Sequence, residues 1–182
     1  MGRLPEGLVT ARKAARLDPL DSGAWALLGR VQFYAGDLAA ARSSEDRALQ
    51  ISPQNTWAEW TLAEIDLAQG KTASALARAE KFQDERNRLL LAAHAEQQLG
   101  HVEKSQQALD AFVAAGGDQW PYVMAQLFAE RGDKDRAFEW LERARSQRDL
   151  RLKMIKVDPY LRALRDDPRY PALLGKLNLP VN

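Results

Sequence analysis

Apolar residues recur every three or four positions along most of the chain, in stretches of about a dozen residues. Leu8, Ala11 and Ala15 form one such stripe, and Leu28 and Val31 belong to the next. This spacing is typical of amphipathic α-helices that bury one face. Glycine or proline separates the stretches, so the pattern predicts a series of helices joined by short turns.

Four regularly spaced glycines, each followed by a polar residue, mark the predicted turns: Gly36, Gly70, Gly100 and Gly132. Each has a small residue seven positions before it and another five positions after it: Gly29 and Ala41, Ala63 and Ala75, Ala93 and Ser105, Ala125 and Ala137. Small side chains let two helices approach closely, and glycine suits the reversal after a first helix. The pattern therefore predicts four consecutive helical hairpins.

The stretch 24–53 contains the most complete unit, with these residues at informative spacing: Trp25, Leu28, Gly29, Ala41, Ala48 and Pro53. This spacing resembles the tetratricopeptide repeat. The resemblance implies an all-α fold, a right-handed superhelical solenoid of helical hairpins. Gln32 and Glu45 depart from the pattern, because an aromatic residue is usual at the first position and phenylalanine at the second.

We predict a single solenoid over residues 1–182. Its parts are an orphan second helix of a truncated repeat at 5–19, repeats at 22–55, 56–85, 86–117 and 118–148, and a helical C-terminal cap at 149–182. The orphan helix is inferred because Pro19 lies 34 residues before Pro53. We therefore expect the chain to be cut from a longer protein, with one helix face left without its neighbour.

Two Asp-Pro pairs, Asp158-Pro159 and Asp167-Pro168, are typical of helix starts and predict short helices near 160–164 and 169–177. The segments GDKDRAFEWLERA and KVDPYLRALRDDPRYPALLGKLNLP are similar to the C-terminal end of tetratricopeptide regions in large bacterial signalling proteins. These include winged-helix transcriptional regulators and class III adenylate or guanylate cyclases. The similarity implies a regulatory or interaction domain of such a protein. The alternative is the effector tail of an enzyme, a nucleotide cyclase or kinase, whose catalytic domain lies upstream.

In a tetratricopeptide solenoid the first helices of successive hairpins line a concave, peptide-binding face. The resemblance places these residues there: Arg30, Phe33, Tyr34, Trp57, Trp60, Glu64, Leu67, Leu90, His94, Gln97, Gln98, Tyr122, Gln126 and Glu130. The lysine, asparagine and arginine clamp with which some of these domains bind chaperone C-termini is absent. A free carboxylate ligand of that kind is therefore not expected.

Trp57 and Trp60 are candidate anchors for a bound peptide, because aromatic residues dominate binding hot spots. Alternatively, both tryptophans pack against the preceding repeat, an interpretation that weighs more for Trp57. Glu59 and Asp66 occupy positions that are normally buried in this repeat, which points to a rotated second unit. We predict that replacing either tryptophan with alanine weakens partner binding more than it unfolds the chain.

Composition narrows the possible functions. The chain has no cysteine and two histidines, His94 and His101, which excludes thiol catalysis and disfavours a histidine-rich metal site. Its serines have no histidine at a spacing typical of a nucleophilic triad. We therefore predict a non-catalytic scaffold without cofactor or metal.

Charge and hydropathy narrow the partners. The net charge of +1 gives no strong field for nucleic acid or a membrane surface. The basic stretch from Arg143 to Lys156 is diluted by acidic residues and is typical of a solvated helix face. No apolar run approaches the roughly 20 residues that span a bilayer. We expect a protein or peptide partner, possible self-association through the exposed N-terminal helix, and a cytoplasmic location, or a periplasmic one if the parent protein has a transmembrane segment.

Overall fold

The computed structural model describes residues 4–180, which contain ten α-helices and no strand. In chain order the α-helices are α1 Leu4–Leu17, α2 Ser22–Tyr34, α3 Leu38–Ile51, α4 Thr56–Ala68, α5 Thr72–Ala79, α6 Glu85–Gln98, α7 Val102–Ala114, α8 Pro121–Glu130, α9 Lys134–Ser146 and α10 Arg169–Lys176. Short 3₁₀ helices cover Gly117–Gln119, Leu150–Met154 and Arg162–Leu164. The prediction of an all-helical chain is confirmed for these residues.

Four antiparallel hairpins follow one another: α2 with α3, α4 with α5, α6 with α7, and α8 with α9. Helix α1 packs on α2 from the N-terminal side. The first helices α2, α4, α6 and α8 also contact one another in sequence. Each hairpin therefore stacks on its neighbour.

Each hairpin turn is built on one of the four predicted glycines. Their φ angles are 82°, 70°, 73° and 76°, in the left-handed region that a side chain disfavours. After the first turn, the Asp37 carboxylate accepts a hydrogen bond from the backbone N of Ala40, which starts α3. The fourth turn repeats this arrangement with Asp133 and the backbone N of Arg136.

The hydrophobic core is unevenly distributed. One continuous cluster joins the C-terminal helices and includes Leu90 of α6, Leu127 of α8, Leu141 of α9 and Leu174 of α10. The N-terminal helices have smaller clusters, such as the one formed by Ala11, Ala15, Ala24 and Leu28. The C-terminal part is therefore the more firmly packed end.

The position usually held by phenylalanine in the first repeat contains a buried carboxyl group. Glu45 is fully buried between α2 and α4, and neither of its carboxyl oxygens has a hydrogen-bond partner among residues 4–180. Burial raises the pKa of Glu45 to about 8, although the nearby Thr61 hydroxyl and the charge of Arg30 oppose the rise. Gln32 is buried as well, and its side-chain oxygen accepts a 2.7 Å hydrogen bond from Ser44.

The second unit is not rotated, contrary to the expectation from its acidic residues. Leu62 and Ala63 are fully buried, as the repeat register requires. Asp66 is buried because Arg42 of α3 and Arg78 of α5 bind its two oxygens at 2.5 and 2.8 Å. Ion pairing therefore explains acidic side chains in positions that the repeat normally fills with apolar ones.

The C-terminal cap contains the two predicted short helices, one as the 3₁₀ helix Arg162–Leu164 and one as α10. Helix α10 lies against α9, with Lys176 bonded to Glu142 and Arg169 bonded to Asp135 at 2.7 Å. Asp158 does not act as a simple helix cap, because one of its oxygens bonds to α8. No helix among residues 4–180 combines the length and apolarity that crossing a membrane requires.

Candidate functional site

Several of the predicted binding residues contact one another on the neighbouring sides of α2, α4, α6 and α8, a surface that we call the first-helix face. Residues one repeat apart meet across it. Arg30 of α2 bonds to the carboxylate of Glu64 on α4, and His94 of α6 bonds to Glu130 on α8. The repeat spacing thus brings these two pairs together.

Arg30 is held by its own neighbours. Besides its bond to Glu64, its guanidinium donates a 2.7 Å hydrogen bond to the Tyr34 hydroxyl and lies 4.8 Å from the centre of that ring. Burial raises the pKa of Tyr34, and the Arg30 charge opposes the rise. Glu64 is 3% exposed, so the ion pair with Arg30 offsets a negative charge that is shielded from water.

The two tryptophans have opposite environments. The interpretation that Trp57, more than Trp60, packs against the preceding repeat is wrong. Trp57 is 74% exposed at the start of α4. Trp60 is half-buried, and its ring centroid lies 5.5 Å from that of Phe82. Trp60 also packs against two core clusters, so it belongs largely to the core, whereas Trp57 faces solvent.

The middle of the first-helix face is covered by the chain itself. Asp158 packs against α8, and its Oδ2 accepts hydrogen bonds from the Tyr122 hydroxyl at 2.8 Å and from Gln126 Nε2 at 2.7 Å. The ring of Tyr160 lies 4.6 Å from that of His94 on α6. The segment 157–160 therefore occupies part of the predicted binding surface.

The predicted residues differ in exposure, and some are buried in the core of the hairpins and not beneath residues 157–160, as Phe33 and Leu67 show. The buried ones are Phe33, Glu64, Leu67, Leu90, His94, Tyr122 and Gln126. The half-buried ones are Arg30, Tyr34, Trp60, Gln97 and Glu130, and the exposed ones are Trp57 and Gln98. Among the predicted large apolar residues, Trp57 is thus the one that is open to solvent.

Asp158 and Tyr160 are the site residues that sequence reasoning missed. The Asp-Pro pair was interpreted only as the start of a helix. Local pattern gives no signal for its contact with α8, but the sequence distance does. Asp158 follows Tyr122 by 36 residues, close to the separations that link Arg30 to Glu64 and His94 to Glu130.

The basic stretch is occupied by local contacts. Arg143 stacks on Trp140, Arg145 pairs with Glu142, and Arg151 pairs with Asp149. These cations are partly neutralised by their own neighbours, as expected for a solvated helix face. Within residues 4–180 no cluster of three or more histidine and carboxylate side chains is arranged to hold a metal ion.

A family model described as tetratricopeptide repeat matches residues 1–56 and 90–149, which together make up more than half of the chain. The unmatched residues 57–89 contain the unit in which Asp66 and Glu59 replace apolar residues, yet they form the same kind of hairpin. A search of curated proteins found no match.

Proposed function

Because the chain belongs to the tetratricopeptide repeat family, whose repeats generally serve as protein-interaction scaffolds, we propose that it is a non-catalytic module that binds a peptide segment of a partner protein. The binding surface is the open part of the first-helix face, around Trp57. The observation that carries this proposal is the 74% exposure of the Trp57 side chain.

A solvent-exposed tryptophan leaves a large aromatic side chain in contact with water. Its large apolar surface favours contact with another molecule, and tryptophan is among the commonest hot-spot residues in protein interfaces. Ala58 and Thr61, which follow it along α4, are buried, so the ring stands on a helix that is packed against the rest of the protein. A rigid anchor loses little conformational entropy when it binds.

The test is a pull-down from lysate of the source cell with mass spectrometry, comparing wild type with Trp57→Ala and Val102→Ala. Val102 is the matched control, because it is 68% exposed and also starts a helix, but on α7, a second helix. We expect Trp57→Ala to retain at most about a tenth of the captured partner, since a hot-spot residue contributes about 2 kcal/mol or more. Equal capture by all three proteins would remove Trp57 from the binding site.

We further propose that the module is a regulatory domain of a larger bacterial signalling protein. The similarity of its C-terminal segments to the tails of such proteins supports this proposal. The competing proposal is an effector tail of a cyclase or kinase. The full reading frame separates the two, because a catalytic domain upstream of residue 1 favours the second.

A second candidate function is self-association through the N-terminal end of the solenoid. Leu27 is 53% exposed, whereas Leu91 and Val123, which follow it at the spacing of the glycine turns, are buried between repeats. Val9 and Leu17 of α1 are also exposed. This end therefore offers a helix-packing surface that no helix among residues 4–180 covers.

The charge on that end sets the expected salt dependence. Arg12, Lys13 and Arg16 line the same surface as Val9 and Leu17. Two copies meeting there bring like charges together, so association should strengthen as salt screens them. Light scattering at low and high salt, with Leu27→Asp as the disrupting variant, tests this. A monomer at high protein concentration under both conditions would exclude self-association.

A further inference from the structure

The segment 157–160 is bound on the first-helix face as a short peptide would be. Asp158 is fully buried there, although it belongs to a connection between two short helices. The Tyr122 hydroxyl and Gln126 Nε2 both donate to its Oδ2, and both donors belong to α8. A carboxylate of the C-terminal cap is thus received by side chains of the last repeat.

The segment forms a turn with a hydrogen bond of its own. Oδ1 of Asp158 accepts a 2.9 Å hydrogen bond from the backbone N of Tyr160, which closes a tight turn. Pro159, between them, fixes one backbone angle and lies exposed. The turn points the Tyr160 ring at the His94 ring, 4.6 Å away on α6. A preorganised turn of this kind binds at a low entropic cost.

The receiving side is built for a carboxyl group. The donors that the repeats supply to Asp158 are the phenol of Tyr122 and the amide of Gln126. Burial raises the pKa of Asp158, and these hydrogen bonds and the charge of Arg30 oppose the rise. Without Asp158, the Tyr122 hydroxyl and the Gln126 amide lose the partner that this buried surface gives them. Leaving such donors unpaired is unfavourable, so the surface selects an acceptor.

A second Asp-Pro pair in the same chain shows that the motif alone does not produce this binding. Asp167 has the same local turn, with its carboxylate accepting from the backbone N of Arg169 at 3.0 Å. Its other bonds go to the Arg169 side chain. Only Asp158 has partners on the first-helix face, so recognition depends on Tyr122, Gln126 and His94.

We propose that residues 157–160 are an intramolecular ligand that closes a second, latent peptide site on the first-helix face, and that this site accepts a partner turn of the same chemistry: an acidic residue, a proline and an aromatic residue. This inference rests on the proposed peptide-binding function and specifies one ligand class. The carboxylate site on α8 and the aromatic surface of His94 are its two halves. The bound segment competes with any partner at the effective concentration of a short tether.

The test uses the full chain and a fluorescent peptide with the sequence of residues 154–165. Asp158→Ala in the protein weakens the internal ligand but leaves the receiving side chains intact. We expect this variant to bind the peptide at least about tenfold more tightly than wild type, because a short tether acts at roughly millimolar concentration. Two control peptides should not bind: the same peptide with its aspartate replaced by alanine, and residues 163–174, which contain the second Asp-Pro pair.

Changes to the receiving side chains on α8 should reverse the increase in peptide affinity. In the Asp158→Ala background, Tyr122→Phe removes one donor to the ligand carboxylate while retaining the ring. Peptide affinity should fall by about fivefold or more with the loss of that hydrogen bond. If Tyr122→Phe leaves the affinity unchanged, the peptide binds elsewhere and the proposal is wrong.

Folding is followed by circular dichroism in the same samples, with Tyr160→Ala as a second variant that weakens the segment from its other end. A folded Asp158→Ala protein that does not bind the peptide overturns the proposal. So does unfolding of both variants, because a segment that the fold requires is not a displaceable ligand. This result is independent of the lysate pull-down. If Trp57→Ala loses the captured partner but Asp158→Ala does not bind the peptide, the proposed function stands and only the latent site is excluded.

Discussion

Gly29 of α2 faces the carboxyl group of Glu45 on α3 so closely that a Cβ atom at residue 29 would lie 2.5 Å from Glu45 Oε1. The first hairpin is thus closed by a glycine against a buried, unpartnered acid. Two predictions depend on this contact.

The first concerns Gly29→Ala. The added methyl group must displace a fully buried side chain, and overpacking of this kind costs about 1–3 kcal/mol. Chemical denaturation should show that loss of unfolding free energy. Gly7→Ala in α1 is the matched control, because its Cβ would lie 3.7 Å from Val31, an ordinary contact. The control should be neutral or stabilising, since alanine favours helix over glycine by about 1 kcal/mol. Equal effects of the two variants would contradict the packing described for Glu45.

The second concerns pH. The pKa of Glu45 is raised from its ordinary value of 4.5 to about 8, so the folded protein holds a proton that the unfolded chain releases between these values. Its contribution to stability is present below pH 4.5 and is lost as pH rises through 8, by up to about 1.4 kcal/mol per pH unit. Glu45→Gln should remove this slope in denaturation curves at pH 5, 7 and 9. Glu103→Gln, at an exposed residue of α7, should retain it; an unchanged slope in Glu45→Gln would show that another group is responsible.

Trp60→Ala should destabilise the protein, whereas Trp57→Ala should not. Trp60 joins two core clusters and contacts Phe82, and removing a partly buried aromatic residue costs up to about 3 kcal/mol. Trp57 is exposed, so its removal should change the free energy of unfolding by less than about 0.5 kcal/mol. Thermal melts of both variants check this. A large drop in melting temperature for Trp57→Ala would return that residue to the core.

Asp66→Asn should also be destabilising. Burial alone would raise the pKa of Asp66, but hydrogen bonds from Arg78, Arg42 and Ser74 lower it below 3.8. The carboxylate thus stabilises the fold above that pH and loses its contribution on acidification. Breaking such a buried pair costs about 3 kcal/mol at neutral pH.

The control for Asp66 is Glu142→Gln, because Glu142 pairs with Arg145 and Lys176 at the surface. Its replacement should cost less than about 1 kcal/mol. Comparable losses of unfolding free energy for Asp66→Asn and Glu142→Gln at pH 7 would mean that the ion pairs of Asp66 stabilise the fold no more than a surface ion pair does.

The hairpins were predictable because their determinants are local. A glycine at a left-handed turn and small residues at fixed distances from it are properties of short stretches, and all four turns follow them. The environments of Trp57 and Trp60 were not predictable in this way. Phe82 stands where the first repeat has Ala48, and its large ring fills the space beside Trp60. The burial of Trp60 therefore depends on a departure from the repeat pattern 22 residues away.

The repeat register predicted contacts between the first helices, but it did not predict the segment that lies over them. The repeat spacing places Tyr122, Gln126 and His94 on one face without reference to the rest of the chain. The return of Asp158 to this face is signalled only by its separation of 36 residues from Tyr122, which is close to the repeat length, because its segment lacks the glycine and small residues of the hairpins. Asp66 shows the same limit, since its burial requires arginines from two other helices.

The uneven core has a consequence for the order in which the chain opens. The cluster from Leu90 to Leu179 joins α6 through α10 by large buried side chains, whereas α1 is attached through small contacts such as Ala11 and Ala15. In stacked repeats, stability is a sum of local and neighbour terms, so opening starts at the weaker end. Backbone amides of α1 should exchange with deuterium first and those of α8 last, because the helices should unfold in order from the N-terminal side.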